Sequence, residues 1–216
     1  MKNLILILII CVAFYFTGNA QSVRFGINAG AAFANYTTTI DGTKANDQTK
    51  TGFAAGILVD IPLGTGFSFQ PGLNFVQKGT KEKDSDGSNT LDASLNVNHL
   101  EVPLNFVYNT GGSNGGFFIG AGPSIAYGLS GDWKVTDGTE SYSEKIKFGS
   151  TESDDLRRLD MGANFLAGYR LNNGLTLSAN YNLGLSNLMP VSDDGSIKSH
   201  YFGIKLGFLF GRTGKK

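Results

Sequence analysis

The chain of 216 residues has one cysteine, Cys11, only five prolines, and no block of basic residues. Cys11 lies in an apolar N-terminal stretch, so the rest of the chain can form no disulfide and offers no thiolate nucleophile. Lys and Arg number 18, as do Asp and Glu, and the formal net charge is zero. That balance lacks the electrostatic footprint of a nucleic-acid binder. Charged residues make up 17%, against roughly 25% in an ordinary soluble domain, too few for a surface facing water on all sides. No helical period is sustained, and no Gly-rich phosphate loop, Walker sequence or metal-ligand cluster occurs.

What is abundant is glycine, 30 residues, together with 16 Phe and 8 Tyr. Glycine at about twice its usual ~7% share, without a G-X-Y period and with little proline, excludes collagen and low-complexity disorder. The N-terminus has its own logic. Lys2 supplies a positive start, Leu4 to Phe16 is apolar, and Thr17-Gly18-Asn19-Ala20 is small and polar. The run is shorter than the ~20 residues of a spanning helix. A secretory signal peptide over residues 1–20, cut after Ala20, is therefore expected, leaving 21–216 as one domain. Ile10 is too large for the small residue that a lipidation signal needs before Cys11.

Two-residue alternation recurs eight times in that domain, over 23–36, 52–63, 67–78, 98–109, 116–129, 158–170, 175–186 and 201–210. Each segment sets a bulky apolar row against a row of Gly, Ser and Asn with a few charges. Phe53, Ala55, Ile57, Val59 and Ile61 oppose Gly52, Gly56 and Asp60; Leu175, Leu177, Ala179 and Tyr181 oppose Thr176, Ser178, Asn180 and Asn182. A soluble sandwich would turn Lys, Glu and Thr to water, and glycine is a poor strand residue unless something demands small size. The interior of an eight-stranded closed barrel does demand it. The bulky row then meets lipid, and each segment has the ~9–11 residues of a tilted membrane-crossing strand. A membrane sheet must close on itself to satisfy its backbone.

The connections alternate in length. Gly64-Thr65-Gly66, Thr110 to Gly115 and Asn172-Asn173 are short; Thr37 to Lys50, Gly79 to Asp92, Ser130 to Asp155 and Leu188 to Lys198 are long. The expected fold is all-β: an eight-stranded antiparallel up-and-down transmembrane β-barrel, N- and C-termini periplasmic, with four long extracellular loops. Aromatics near the strand ends would form interfacial girdles, with Phe25, Phe106, Tyr108, Phe117, Tyr169 and Phe208 at one rim and Tyr36, Phe75, Tyr127 and Trp133 at the other. Leu95 and Val97 break the apolar parity of Leu100, which implies a bulge near Asn98 or an extension of that strand outside the membrane.

Several stretches carry a family likeness. Phe69-Gln70-Pro71-Gly72-Leu73-Asn74-Phe75 with Gln77-Lys78-Gly79, then His99-Leu100-Glu101-Val102-Pro103-Leu104, Gly120-Ala121-Gly122-Pro123, Asp160-Met161-Gly162 with Gly168-Tyr169, and Tyr181 to Asn187 occur in order. The domain resembles the PorT-like outer-membrane β-barrel family of Bacteroidota-type bacteria. The resemblance implies an outer-membrane barrel; most members have no assigned activity and a few are linked to protein secretion. Gly72 stands where the family commonly has an acidic residue, so any role of that carboxylate is absent or moved. Tyr201-x-Gly203-x-x-Leu206-x-Phe208 resembles the strand read by the barrel-assembly machinery, an expected partner in biogenesis alongside outer-membrane lipid and possible envelope proteins.

Inward parity gives a candidate lumen polar network of Arg24, Asp60, Lys78, Glu101, Arg158, Asp160, Arg170 and Lys205, with Glu101 and Lys205 as the expected pair. Buried charges must pair, and eight strands leave no aqueous channel, so a plug is expected over a pore. The acidic stretches Asp84 to Asn89 and Ser192 to Ser196 do not supply a calcium loop ending in a bidentate Glu and read as hairpin turns. His99 and His200 are the only histidines; His200 beside Ser199 and Asp160 is the sole arrangement suggesting hydrolysis. Trp133, Tyr142 and Phe148 on the longest loop are candidates for extracellular contact. No cofactor, metal or catalytic residue is expected. The favoured function is a non-enzymatic structural or recognition role through extracellular loops; secretion accessory or narrow porin-like transport are the alternatives.

Overall fold

A computed structural model describes residues 23–211, except 47, 87–88, 112–114, 138–139 and 192–194. The expected signal peptide and the acidic pair Asp193-Asp194 lie outside the described residues, as does Gly87 of the other acidic stretch. Every regular element among the described residues is a strand: β1 (Arg24–Ile40), β2 (Thr43–Asn46), β3 (Gln48–Gly64), β4 (Phe67–Asp86), β5 (Asn89–Asn109), β6 (Gly116–Asp137), β7 (Glu140–Lys145), β8 (Leu159–Arg170), β9 (Leu175–Gly184) and β10 (Gly195–Phe210).

Eight long strands pair antiparallel in the order β10-β9-β8-β6-β5-β4-β3-β1, with the short β2 on β1 and β7 on β6. β10 also pairs β1, from Phe25 opposite Phe210 to Ile40 opposite Gly195. The sheet therefore closes, as the eight parity segments require.

The bulky row faces outward. Phe25 is 63% exposed, Phe53 49%, Leu177 54% and Ile204 46%. The opposite row is buried, and most of its glycines sit where a neighbouring backbone comes too close for a side chain. A Cβ on Gly30 would lie 1.9 Å from the Ile204 carbonyl oxygen, and one on Gly122 1.9 Å from that of Leu104. Small size is thus demanded by strand-to-strand contact as well as by the narrow interior.

The short connections fall together at one end, here the turn end. Gly64, Thr65 and Gly66 all have positive φ (109°, 46° and 87°), which explains the glycines flanking Thr65. Phe67 packs tilted against Tyr108 and Phe117 meets Tyr169 edge to face, with ring centroids 4.8 and 4.9 Å apart. These outward rings make the girdle expected at that rim.

At the loop end the long connections are largely strand, a difference from the sequence reading. β4 and β5 stay paired as far as Asp86 opposite Asn89, and β6 continues to Asp137 before returning as β7. A two-sided polar hairpin has no hydrophobic alternation, so these extensions left no parity signal. The register shift expected near Asn98 is present, with Asn98 opposite Ser130 and His99 opposite Gly128. The extra residue is Leu129 on β6, so β5 keeps its parity, and Leu95 and Val97 point inward with His99 and Glu101. Tyr36 is likewise inside, 2% exposed, and does not belong to the outer girdle.

Candidate functional site

The lumen is filled in tiers. Nearest the turn end, Arg24 at the start of β1 meets Asp60 of β3: Nε and one terminal nitrogen donate to Oδ2 at 2.9 and 2.5 Å. Gln70 of β4 donates to Asp60 Oδ1 at 2.7 Å. Arg170, at the end of β8, is buried in the field of this pair. A buried carboxylate that accepts two guanidinium N–H bonds on one oxygen and an amide N–H on the other has most of its acceptor capacity used, which offsets its desolvation.

Deeper in, amides bond across the barrel. Asn180 Nδ2 donates to Asn164 Oδ1 at 3.2 Å, Asn164 Nδ2 to Asn105 Oδ1 at 3.0 Å, and Asn182 Nδ2 to Ser124 Oγ at 2.7 Å. The Asn-rich inner rows of β8 and β9 are therefore a hydrogen-bonded filling.

Next come the groups with most charge. Lys78 Nζ donates to Asp160 Oδ2 at 2.9 Å and to Ser199 Oγ at 3.2 Å, and lies 3.9 Å from Glu101 Oε2. Ser199 donates to Asp160 Oδ2 at 2.5 Å, and the Tyr201 hydroxyl donates to Glu101 Oε1 at 2.7 Å. The expected pairing of Glu101 with Lys205 is replaced. Glu101 is taken by Tyr201 and Lys78, while Lys205 lies over the Tyr201 ring, 6.0 Å from its centroid. Tyr201 carries both a large ring and a donor, so it intervenes where parity alone suggested a direct contact.

Above this layer the interior turns apolar. Tyr36, Leu95, Val97, Leu156 and Leu188 form one buried cluster, with Ile146, Phe148 and Ile197 packed on it. The chain after β7 folds back over the barrel to supply it: Phe148 and Leu156 form an isolated bridge, and Arg157 N–H donates to the Leu188 carbonyl at 2.7 Å. The loop end is thus stoppered by an apolar cap.

This cap corrects two sequence readings. Phe148, expected as an extracellular contact, is half-buried against the cap. Arg158, expected in the lumen network, sits at the loop-end rim with its guanidinium 4.9 Å from the Phe148 ring centroid and 5.3 Å from that of Tyr127, and donates to the Gly128 carbonyl. Parity does not extend to a residue outside the strand, and Arg158 lies just before β8. Trp133 and Tyr142 remain exposed, at 39% and 65%.

The hydrolase-like arrangement is not assembled. Ser199 is fully buried and donates its hydroxyl proton to a carboxylate, while the adjacent His200 has the opposite parity on β10. A nucleophile needs a base accepting its proton and access to substrate. Tyr36, His99, Ser199 and Tyr201 are lumen residues that the sequence reading left out of the network; their place on the inner rows of β1, β5 and β10 was the available signal.

None of the curated proteins matches the chain by sequence. Among solved structures, the chain is similar to the attachment invasion locus protein Ail of Yersinia pestis, at 17% identity over 87% of this chain and 99% of that one, with a TM-score of 0.42. It is similar to neisserial surface protein A at 12% identity, covering 88% and 99%, TM-score 0.47. The N-terminal barrel of Pseudomonas aeruginosa OprF gives 10% identity, 88% and 100%, and 0.35. A family model described as outer membrane protein beta-barrel domain matches residues 19–189. The chain belongs to that family and is a barrel protein of the Gram-negative outer membrane.

Proposed function

We propose that this protein is a non-enzymatic surface element whose loop-end ladders serve recognition outside the cell, and that it belongs to the PorT-like branch of barrels. In this reading residues 1–20 are a cleaved signal peptide, the turn end faces the periplasm, and the barrel-assembly machinery inserts the chain through its β10 signal. The observation that carries it is the contrast at the loop end. The bore is stoppered by an apolar cluster, whereas β4, β5, β6 and β7 continue beyond it as paired strands. A through-route for solutes would need a wet bore; a rigid projecting ladder suits contact.

Trp133 of β6 and the fully exposed strand β7, whose Tyr142 hydroxyl donates to Glu140 at 2.8 Å, offer aromatic and charged groups on a hydrogen-bonded frame. Photo-crosslinking residues placed at Trp133 and Tyr142 in living cells test this. A discrete adduct that competes with soluble β6–β7 hairpin peptide is expected. Labelling of lipid alone from both positions would contradict it.

A further inference from the structure

The turn end holds an open cavity of about 530 Å³, running from the rim at Thr65 to Tyr201. That volume falls in the roughly 300–1,000 Å³ range of small-molecule sites. It is a dead end, because the Lys78–Asp160–Ser199 cluster and the apolar cap lie beyond it.

Its charges are unequal. Arg24, Arg170 and Lys205 line it against the single carboxylate Glu101. Arg24 is engaged by Asp60, and Glu101 by Tyr201 and Lys78. Lys205 is different: only 8% exposed, it has neither an ion pair nor a hydrogen bond among the described residues. Glu101 attracts it from the same wall without making an ion pair, and a buried ammonium facing a cavity with no directly paired counter-ion is costly unless something fills the place. The side-chain oxygens of Asn28, Asn74 and Asn180, all in the cavity wall, are also without partners. Leu58, Val107 and Phe118 complete the wall with apolar surface.

We propose that this cavity binds a small hydroxylated organic anion, of sugar-acid or sugar-phosphate size, with its anionic head on Lys205 Nζ. The guanidiniums of Arg24 and Arg170 at the mouth favour anions entering. The wall amides receive hydroxyl donors, and the apolar residues face the carbon skeleton. The site takes its ligand from the periplasm, which rests on the orientation proposed above; binding itself does not.

The test is a titration of the full barrel in lipid nanodiscs, open at both ends, with glucuronate, glucose 6-phosphate, glucose and glucosamine, followed by saturation-transfer NMR. Saturable binding of at least one anion is expected, with glucose and glucosamine about tenfold weaker or more; the tighter anion identifies the head as carboxylate or phosphate. Lys205→Met should weaken the anion about tenfold or more while Lys205→Arg largely retains it, with the heat-modifiable gel shift unchanged. Should Lys205→Met fail to fold, the Nζ signal of Lys205 in 15N-lysine-labelled protein decides, and it should move with the bound anion. Absence of saturable anion binding, equal binding of glucose, an unaffected Lys205→Met, or a stationary Nζ signal would each overturn the proposal.

Discussion

Lys78 of β4 and Asp160 of β8 belong to strands that are not neighbours, yet their charged atoms meet at 2.9 Å inside the barrel. The pair is a cross-brace: with Ser199 of β10 on Asp160 and Glu101 of β5 near Lys78, it ties four strands across the lumen.

Removing one partner of that brace should be far worse than removing both. Lys78→Met strands Asp160 in the interior and is expected to cost about 3–5 kcal/mol, with Asp160→Leu similar. The double variant should recover much of the loss. Urea unfolding of the lipid-inserted protein measures all three; additive losses would count against the brace.

The glycines on the inner rows should differ in tolerance according to what a methyl group would meet. At Gly30 it strikes the Ile204 backbone, which cannot turn aside; at Gly26 it meets only the ends of Leu58 and Leu209. Gly30→Ala is expected to destabilise by about 1–3 kcal/mol or block folding, and Gly26→Ala to be much milder. The fraction of heat-modifiable protein after refolding reads this.

The apolar cap should behave as a small core. Leu188 is 2% exposed within it, and Leu188→Ala is expected to cost about 2–5 kcal/mol. Because Lys78 and Asp160 still fill the bore beneath, that variant should conduct no more ions in a planar bilayer than the parent, which should conduct none.

Much of this architecture was legible because membrane strands with unlike faces write a period of two into the chain: Phe53 and Leu177 outside, Asp60 and Ser178 inside. Inner-row charges were legible by the same rule, since Arg24, Asp60, Lys78, Glu101, Asp160, Arg170 and Lys205 all lie within strands. Which charge meets which was not, because the barrel's stagger sets relative height and Tyr201 comes between Glu101 and Lys205. The cap escaped notice for another reason. Leu156 and Leu188 come from irregular chain folded back over the mouth, where no periodicity reports burial.

One loop group gives a pH signature outside the membrane. Asp154 accepts from the Thr151 hydroxyl at 2.6 Å and the Thr151 amide at 2.9 Å, and these bonds, the hydroxyl first, hold its carboxyl below the ordinary 3.8. A depressed carboxylate stabilises its turn fully above the ordinary value and loses that contribution as pH falls below it through the lowered native one. Hydrogen exchange at the Thr151 amide should therefore quicken, relative to its intrinsic rate, only in that acid window. Asp154→Asn should remove the pH dependence; dependence persisting in that variant would contradict the assignment.

The whole account depends on which row of each strand meets lipid. The chain lacks cysteine after Cys11, so single cysteines at Phe53, Leu177, Ile204, Ser178 and Asn180 can each carry a spin label in the membrane-inserted protein. Electron paramagnetic resonance should show the first three readily relaxed by oxygen, which concentrates in lipid, and the last two shielded from it. Oxygen accessibility in the reverse order, with Phe53, Leu177 and Ile204 shielded together, would contradict the barrel's inside-out arrangement.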